Sequence, residues 1–249
     1  MGKDIIKGGM SGHSKWATIK RQKGTADIKR GQAFTKISNA ITIAVRSGGG
    51  VTDPENNFRL RIAIEKARAA NMPKENIERA IAKAIGGEGE GVEEVVYEGF
   101  LRGGVSVIIE AVTDNSQRTT SEVKNIFSKE GASFGKSGSV AYQFVSKGRI
   151  SIKKDGKLLD EIFNLAAESG AEDLEEISDD VFVYTSPLEL SKVRGKLLEK
   201  GLKITEMEII RKPIQTISIQ DEEQRKKTIS FLNKLEELDD VQKVYSNLK

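Results

Sequence analysis

The chain has 249 residues, 37% hydrophobic and 31% charged, a balance that favours several small domains over one thick core. It contains no Cys and a single His, which excludes disulfides, thiol nucleophiles and thiolate metal sites and leaves no ligand set for structural zinc. The net charge of +3 hides a split, with 17 Lys and Arg against 7 Asp and Glu through Ile85 and 23 against 30 after it, and a basic front end of this kind points to a polyanionic partner.

Residues 1–9 lack the apolar core of a signal peptide, and a second Met stands at Met10. They read as a leader left by cloning or by an upstream start codon. No apolar run approaches the ~18–20 residues that span a bilayer, so no membrane partner and a cytoplasmic location are expected. Residues 1–24 read as a flexible basic arm carrying the only Trp and the only His. Lys15, Lys20, Arg21 and Lys23 are spaced to reach successive phosphates, and Lys29, Arg30 and Lys36 continue the cationic run. Trp16 either stacks on an exposed base or anchors the arm on the body that follows.

Three amphipathic helices are expected over 25–87. Phe34, Ile37, Ile41, Ala44 and Val45 form one apolar stripe, ended by Gly48-Gly49-Gly50. Asp53-Pro54 is expected to open the second helix, whose stripe is Leu60, Ala63, Ile64, Ala67 and Ala70. Asn71-Met72-Pro73 breaks the chain again before the stripe Ile77, Ala80, Ile81, Ala84 and Ile85. Residues 86–91 form a Gly/Glu linker, after which the period changes.

Val95–Phe100 and Val105–Val112 read as a hairpin. A polar loop, Thr113–Arg118, leads to Thr119-x-x-Glu122, a capping-box pattern expected to open a helix with Val123, Ile126 and Phe127 on one face. A Gly/Ser loop and a strand over Val140–Val145 follow. From Arg149 to Arg211 the pattern is β-α-β-β-α-β, the ferredoxin-like order: strand Arg149–Lys153, helix Leu158–Ser169, strands near Leu174–Ile177 and Val181–Thr185, a helix from Ser186-Pro187, and strand Lys203–Ile210. A strand (Ile214–Ile219), a helix (Glu222–Leu238) and a strand (Val241–Tyr245) close the chain. The expected class is multidomain α+β. The helical domain is followed by one α+β domain built from 91–146 with 213–249, and a ferredoxin-like α+β domain, 147–212, is inserted in it.

Little in the sequence suggests catalysis. Gly131–Ser137 is one residue short of a phosphate-loop spacing and lies between helix and strand, the reverse of what that loop needs. The acidic runs Glu172–Glu176, Asp179-Asp180 and Glu236–Asp240 read as solvated loops and helix faces. His13 has no partner set, so no Ser-His-Asp arrangement is available. No catalytic residue, metal ligand, cofactor or small-molecule substrate is expected. The Thr113–Arg118 loop runs from a strand into a helix N-terminus, where Asn115, Gln117 and Arg118 either add donors for a phosphate or base edge or simply cap the connection.

Gly12-His13-Ser14-Lys15-Trp16 with Ile19-Lys20 resembles the opening signature of the YebC/PmpR family, which includes the mitochondrial translational activator of cytochrome c oxidase. The resemblance extends through Phe34-Thr35-Lys36, the run Asn71–Ile81, Tyr97-Glu98-Gly99, Thr113-Asp114-Asn115 with Arg118-Thr119, and Ser137-Gly138-Ser139-Val140. It covers Met10 to the C-terminus. Two departures stand out. Phe100-Leu101-Arg102-Gly103-Gly104 replaces a Gly-Pro-Gly-Gly-like turn, and Gln117 stands where the family has Asn. Both keep turn or polar character and bear on fine specificity. The resemblance implies a helical domain followed by two α+β domains, one inserted in the other, and a cytoplasmic, non-enzymatic regulator of gene expression. Its members are commonly described as DNA-binding transcriptional regulators. Others are regarded as translation factors at the ribosome, acting at difficult, proline-rich stretches. The residues themselves leave DNA and ribosomal or transfer RNA both open, since no helix-turn-helix with a clear recognition helix, zinc finger, zipper or RRM motif is present. The oligomeric state is not readable.

Overall fold

The computed structural model describes residues 26–86 and 92–249, side chains of 26–30 excepted. The described chain forms two compact units, one of residues 26–142 and 219–246 and the other of residues 143–218 and 247–249.

The first unit opens with α1 (Ala26–Ser47), α2 (Phe58–Ala69) and α3 (Lys74–Ile85). Their stripes meet in one core around Ile41, Val45, Leu60, Ile64, Ala67 and Ile77. Ile85, expected on that stripe, is 62% exposed because α3 ends there. The start of α2 also differs from expectation. Asp53 caps only a turn, accepting from the Glu55 N–H at 3.0 Å. The helix opens four residues later, with Asn57 as its N-cap, and the Asn57 Oδ1 accepts from the Leu60 N–H at 3.0 Å. Asn57 is the better cap because it is buried and its amide also reaches two carbonyls, Ala44 O at 2.8 Å and Val51 O at 3.0 Å.

The same unit continues with the hairpin β1 (Glu93–Phe100) and β2 (Ser106–Thr113), then α4 (Ser116–Lys129) and the two-residue β3 (Ser133–Phe134). It resumes with α7 (Glu222–Glu236) and β8 (Val241–Ser246). The sheet is antiparallel in the order β3-β1-β2-β8. Five of the eight β2 residues are apolar, and only Glu110 is not fully buried, as expected of a central strand covered on both faces. α4 and α7 meet through Phe127 and Phe231, whose rings pack edge to face at 5.0 Å.

The second unit carries β4 (Phe144–Lys153), α5 (Leu159–Ser169), β5 (Asp173–Ile177), β6 (Asp180–Thr185), α6 (Leu190–Glu199) and β7 (Lys203–Pro213). Its antiparallel sheet runs β5-β6-β4-β7, the ferredoxin-like arrangement, and in chain order it lies between β3 and α7 of the first unit. The fold is therefore α+β, with a helical N-terminal domain and two α+β domains.

Three expected elements change. Val140–Val145 and Arg149–Lys153 are not two strands: β4 is continuous, because β7 pairs with it from Phe144↔Pro213 to Lys153↔Lys203. Gly148, inside β4, is there for close approach, since a Cβ would lie 2.9 Å from Leu190 Cδ1 and 2.6 Å from Thr185 Oγ1. Ile214–Ile219 is not a strand but makes a single parallel bridge, Ile217↔Leu248, with the C-terminal residues. The expected solvated acids Glu175 and Asp180 are buried on the second sheet, where Glu175 accepts from the Tyr184 hydroxyl at 2.8 Å and Asp180 pairs with Lys153 at 2.8 Å.

Candidate nucleic-acid interface

Lys15, Trp16, Lys20, Arg21 and Lys23 lie outside the described residues. Lys29 and Arg30 fall on the first turns of α1. Lys36, two turns further on, points into the first unit. Its ammonium donates to the carbonyl of Glu236 at 2.5 Å, at the last residue of α7, where the helix dipole favours a cation. Gln32 on the same helix reaches Asp239 Oδ1 at 3.1 Å. Further along, Arg46 donates to the Val92 carbonyl at 3.0 Å and Arg59 pairs with Glu94 at 2.6 Å. These side chains join the helical domain to the sheet domain. Lys36 is half-buried in its contact, whereas Arg46 and Arg59 make theirs at an exposed edge.

The Thr113–Arg118 loop is shorter than its sequence suggests. α4 begins at Ser116, one turn ahead of the expected capping box, and its N-cap is Asn115, whose Oδ1 accepts from the Arg118 N–H at 3.0 Å. Thr119 lies inside the helix and is buried, so it is no cap. Around it, Asp240 Oδ2 accepts from Thr119 Oγ1 at 2.6 Å, Thr113 Oγ1 at 3.0 Å and Arg118 Nη2 at 2.9 Å. The same Arg118 nitrogen lies 2.9 Å from Asp114 Oδ1. Burial alone would raise the Asp240 carboxyl, but the hydrogen bonds from Thr119, Arg118 and Thr113 outweigh it and hold the group below the ordinary carboxylate value. Asp240 had read as part of a solvated acidic run. Its partners lie more than 120 residues earlier in the chain, a pairing that no local pattern announces.

The Gly-rich stretch after β3 does cradle an anion, but an internal one. The Glu98 side chain, on β1 and 4% exposed, accepts from the N–H groups of Gly138 (2.7 Å), Val140 (2.6 Å) and Ala141 (3.0 Å). Among the described residues no cation pairs with it. Next to it a Cβ on Gly99 would lie 2.2 Å from Phe127 Cε1, so the strand must be bare there for α4 to pack. The Tyr97-Glu98-Gly99 and Ser137-Gly138-Ser139-Val140 motifs thus meet as one structural joint. Among the described residues, no three His, Cys, Asp or Glu side chains come together as a metal site, and no helix is long and apolar enough to cross a membrane.

Comparison with known proteins matches both halves of this architecture. The "TACO1/YebC protein N-terminal domain" covers residues 14–87 and the "TACO1/YebC second and third domain" covers residues 92–248. A "probable transcriptional regulatory protein" of Desulfitobacterium hafniense is 47% identical over 243 residues, 96% of each chain. One of Persephonella marina is 51% identical over 244 residues, again 96% of each. The crystal structure of a conserved hypothetical protein from Aquifex aeolicus superposes with a TM-score of 0.87 at 47% identity, covering 94% of this chain and 96% of that one. The chain belongs to the TACO1/YebC family.

Proposed function

We propose that the chain is a non-enzymatic, cytoplasmic, nucleic-acid-binding regulator of gene expression. It engages its polyanion through Lys15, Trp16, Lys20, Arg21 and Lys23, with Lys29 and Arg30 of α1 behind them. The observation that carries this reading is the charge split at Ile85, 17 cations against 7 anions before it and 23 against 30 after. The names of the relatives support transcription, and hence DNA, as the first reading.

A second reading, RNA at the ribosome, is favoured by the helical domain itself. A groove-reading helix needs an unopposed basic face. On α3, Glu75 and Glu78 stand beside Arg79 and Lys83, and Lys74 is spent on Glu78 at 3.3 Å. Lys36, Asn115 and Arg118 are engaged within the fold and are not assigned to the interface.

The test pairs purified ribosomes with promoter DNA at matched salt, with random-sequence DNA as control. Sequence-specific DNA binding without ribosome association would sink the RNA reading, and the reverse would sink the promoter reading. In either case Lys20→Ala with Arg21→Ala should weaken binding and flatten the dependence of log K on log salt by about one unit per lost phosphate contact.

A further inference from the structure

On the first unit, β1, α4 and the segment leaving β3 line an open cleft of about 470 Å³. That is within the usual range for a small-ligand pocket. Its floor is apolar. Val96 is 40% exposed there, and the Phe134 ring is fixed by Phe127 edge to face at 5.5 Å and by Tyr97 at 6.0 Å. Its rim is cationic, formed by Lys124 and Lys136. Among the described residues neither ammonium pairs with a carboxylate, and Lys124 Nζ instead sits 5.3 Å from the centre of the Phe134 ring. Glu98 also lines the cleft, but its carboxylate is turned onto three backbone N–H groups, so it does not oppose an anion. Thr120, 3.1 Å from the Tyr97 hydroxyl, adds a polar edge to the wall.

Aromatic face, apolar floor, hydroxyls and two ammonium groups that no carboxylate pairs among the described residues are the parts that hold one unstacked nucleotide. We propose that this cleft receives a single base of a single-stranded nucleic acid, stacked on Phe134, with the flanking phosphates on Lys124 and Lys136. An incoming base takes over the ring face that Lys124 now covers, and the phosphate gives the ammonium a new partner. The inference rests on the nucleic-acid reading above and adds to it a second contact region, distinct from the N-terminal stretch.

The test uses the full chain with a decauridylate RNA and with a duplex of matched length, followed by anisotropy over a salt series. Phe134→Leu keeps the apolar packing and removes the ring. It should weaken decauridylate binding about 5- to 150-fold, the equivalent of one stacked base, and leave duplex binding unchanged. Lys124→Ala with Lys136→Ala changes only exposed positions and should flatten the single-strand salt slope by about 1.4. If both variants bind the decamer like the parent while Lys20→Ala with Arg21→Ala weakens it, the cleft assignment is overturned and the nucleic-acid reading stands. If the lysine variant weakens binding and Phe134→Leu does not, the cleft is an electrostatic patch without base recognition, and the assignment is likewise overturned. A parent chain that binds neither RNA nor duplex overturns both.

Discussion

Two carboxylates in the first unit are withdrawn from water by opposite means. Glu98 is held by three backbone N–H groups from residues 138–141 and has no cationic partner among the described residues. Asp240 is held by side chains, the hydroxyls of Thr113 and Thr119 and the guanidinium of Arg118, and its side chain keeps 13% of its exposure. A backbone cradle makes few demands on which residues supply it, provided the chain follows the right path. A side-chain hub demands particular residue types at particular places. The first should therefore fail when the acid is removed, and the second should respond to pH and to each partner separately.

The largest effect is expected from Glu98→Ala. It strands three donors around a buried space, and each unsatisfied group costs on the order of 1–3 kcal/mol, part of which entering water restores. A loss of about 3 kcal/mol is expected, together with faster hydrogen exchange at the Gly138, Val140 and Ala141 amides. Protection unchanged at those amides would show that the loop holds its path without the carboxylate. Glu98→Gln should fall between, because one amide oxygen still accepts.

Asp240→Asn should cost less, roughly 1–2 kcal/mol from weakened hydroxyl bonds, since the site is partly solvated and its ion pairs are screened. Its value lies in the pH dependence. The folded-state pKa of Asp240 is lowered, so the stabilisation is present above the unfolded value of about 3.9 and is lost as pH falls through the folded one. The gap between parent and variant in denaturation midpoint should be open near neutral pH and close below about pH 4. A gap independent of pH would mean that the charge is not what the hydroxyls and Arg118 recognise.

The same contrast marks what the sequence discloses. The stripes of α1 to α3, the hairpin and the ferredoxin-like order are written in periods of 3.6 and 2, and they appear in the structure with their ends shifted by a few residues. Asn57 displaced Asp53, and Asn115 displaced Thr119, because capping is decided by which side chain also finds tertiary partners. Glu98 and Asp240 were illegible for a plainer reason. Each joins segments 40 to more than 120 residues apart, and a buried acid looks in sequence like any surface acid until its donors are in place. Lys36 is a similar case: a basic residue near a basic arm was expected to face a polyanion, and the C-terminal carbonyl of α7 holds it instead.

Arg118 gives the smallest effect and the sharpest division between architecture and binding. Its guanidinium is raised further above its ordinary value, first by the bond to Asp240 and then by the one to Asp114, so it carries its charge under every condition that matters. Both bonds lie at an exposed edge, where solvent and salt weaken them. Arg118→Ala leaves Asp240 with its two hydroxyl donors, so the denaturation midpoint should move less than for Asp240→Asn. Two acids already share this cation, and releasing it to a phosphate would expose both of them to the same polyanion. Affinity for nucleic acid and its salt slope should therefore stay at the parent value in Arg118→Ala, while Lys20→Ala with Arg21→Ala lowers both. A drop in slope of about one unit for Arg118→Ala alone would reverse that assignment and place the start of α4 against a phosphate.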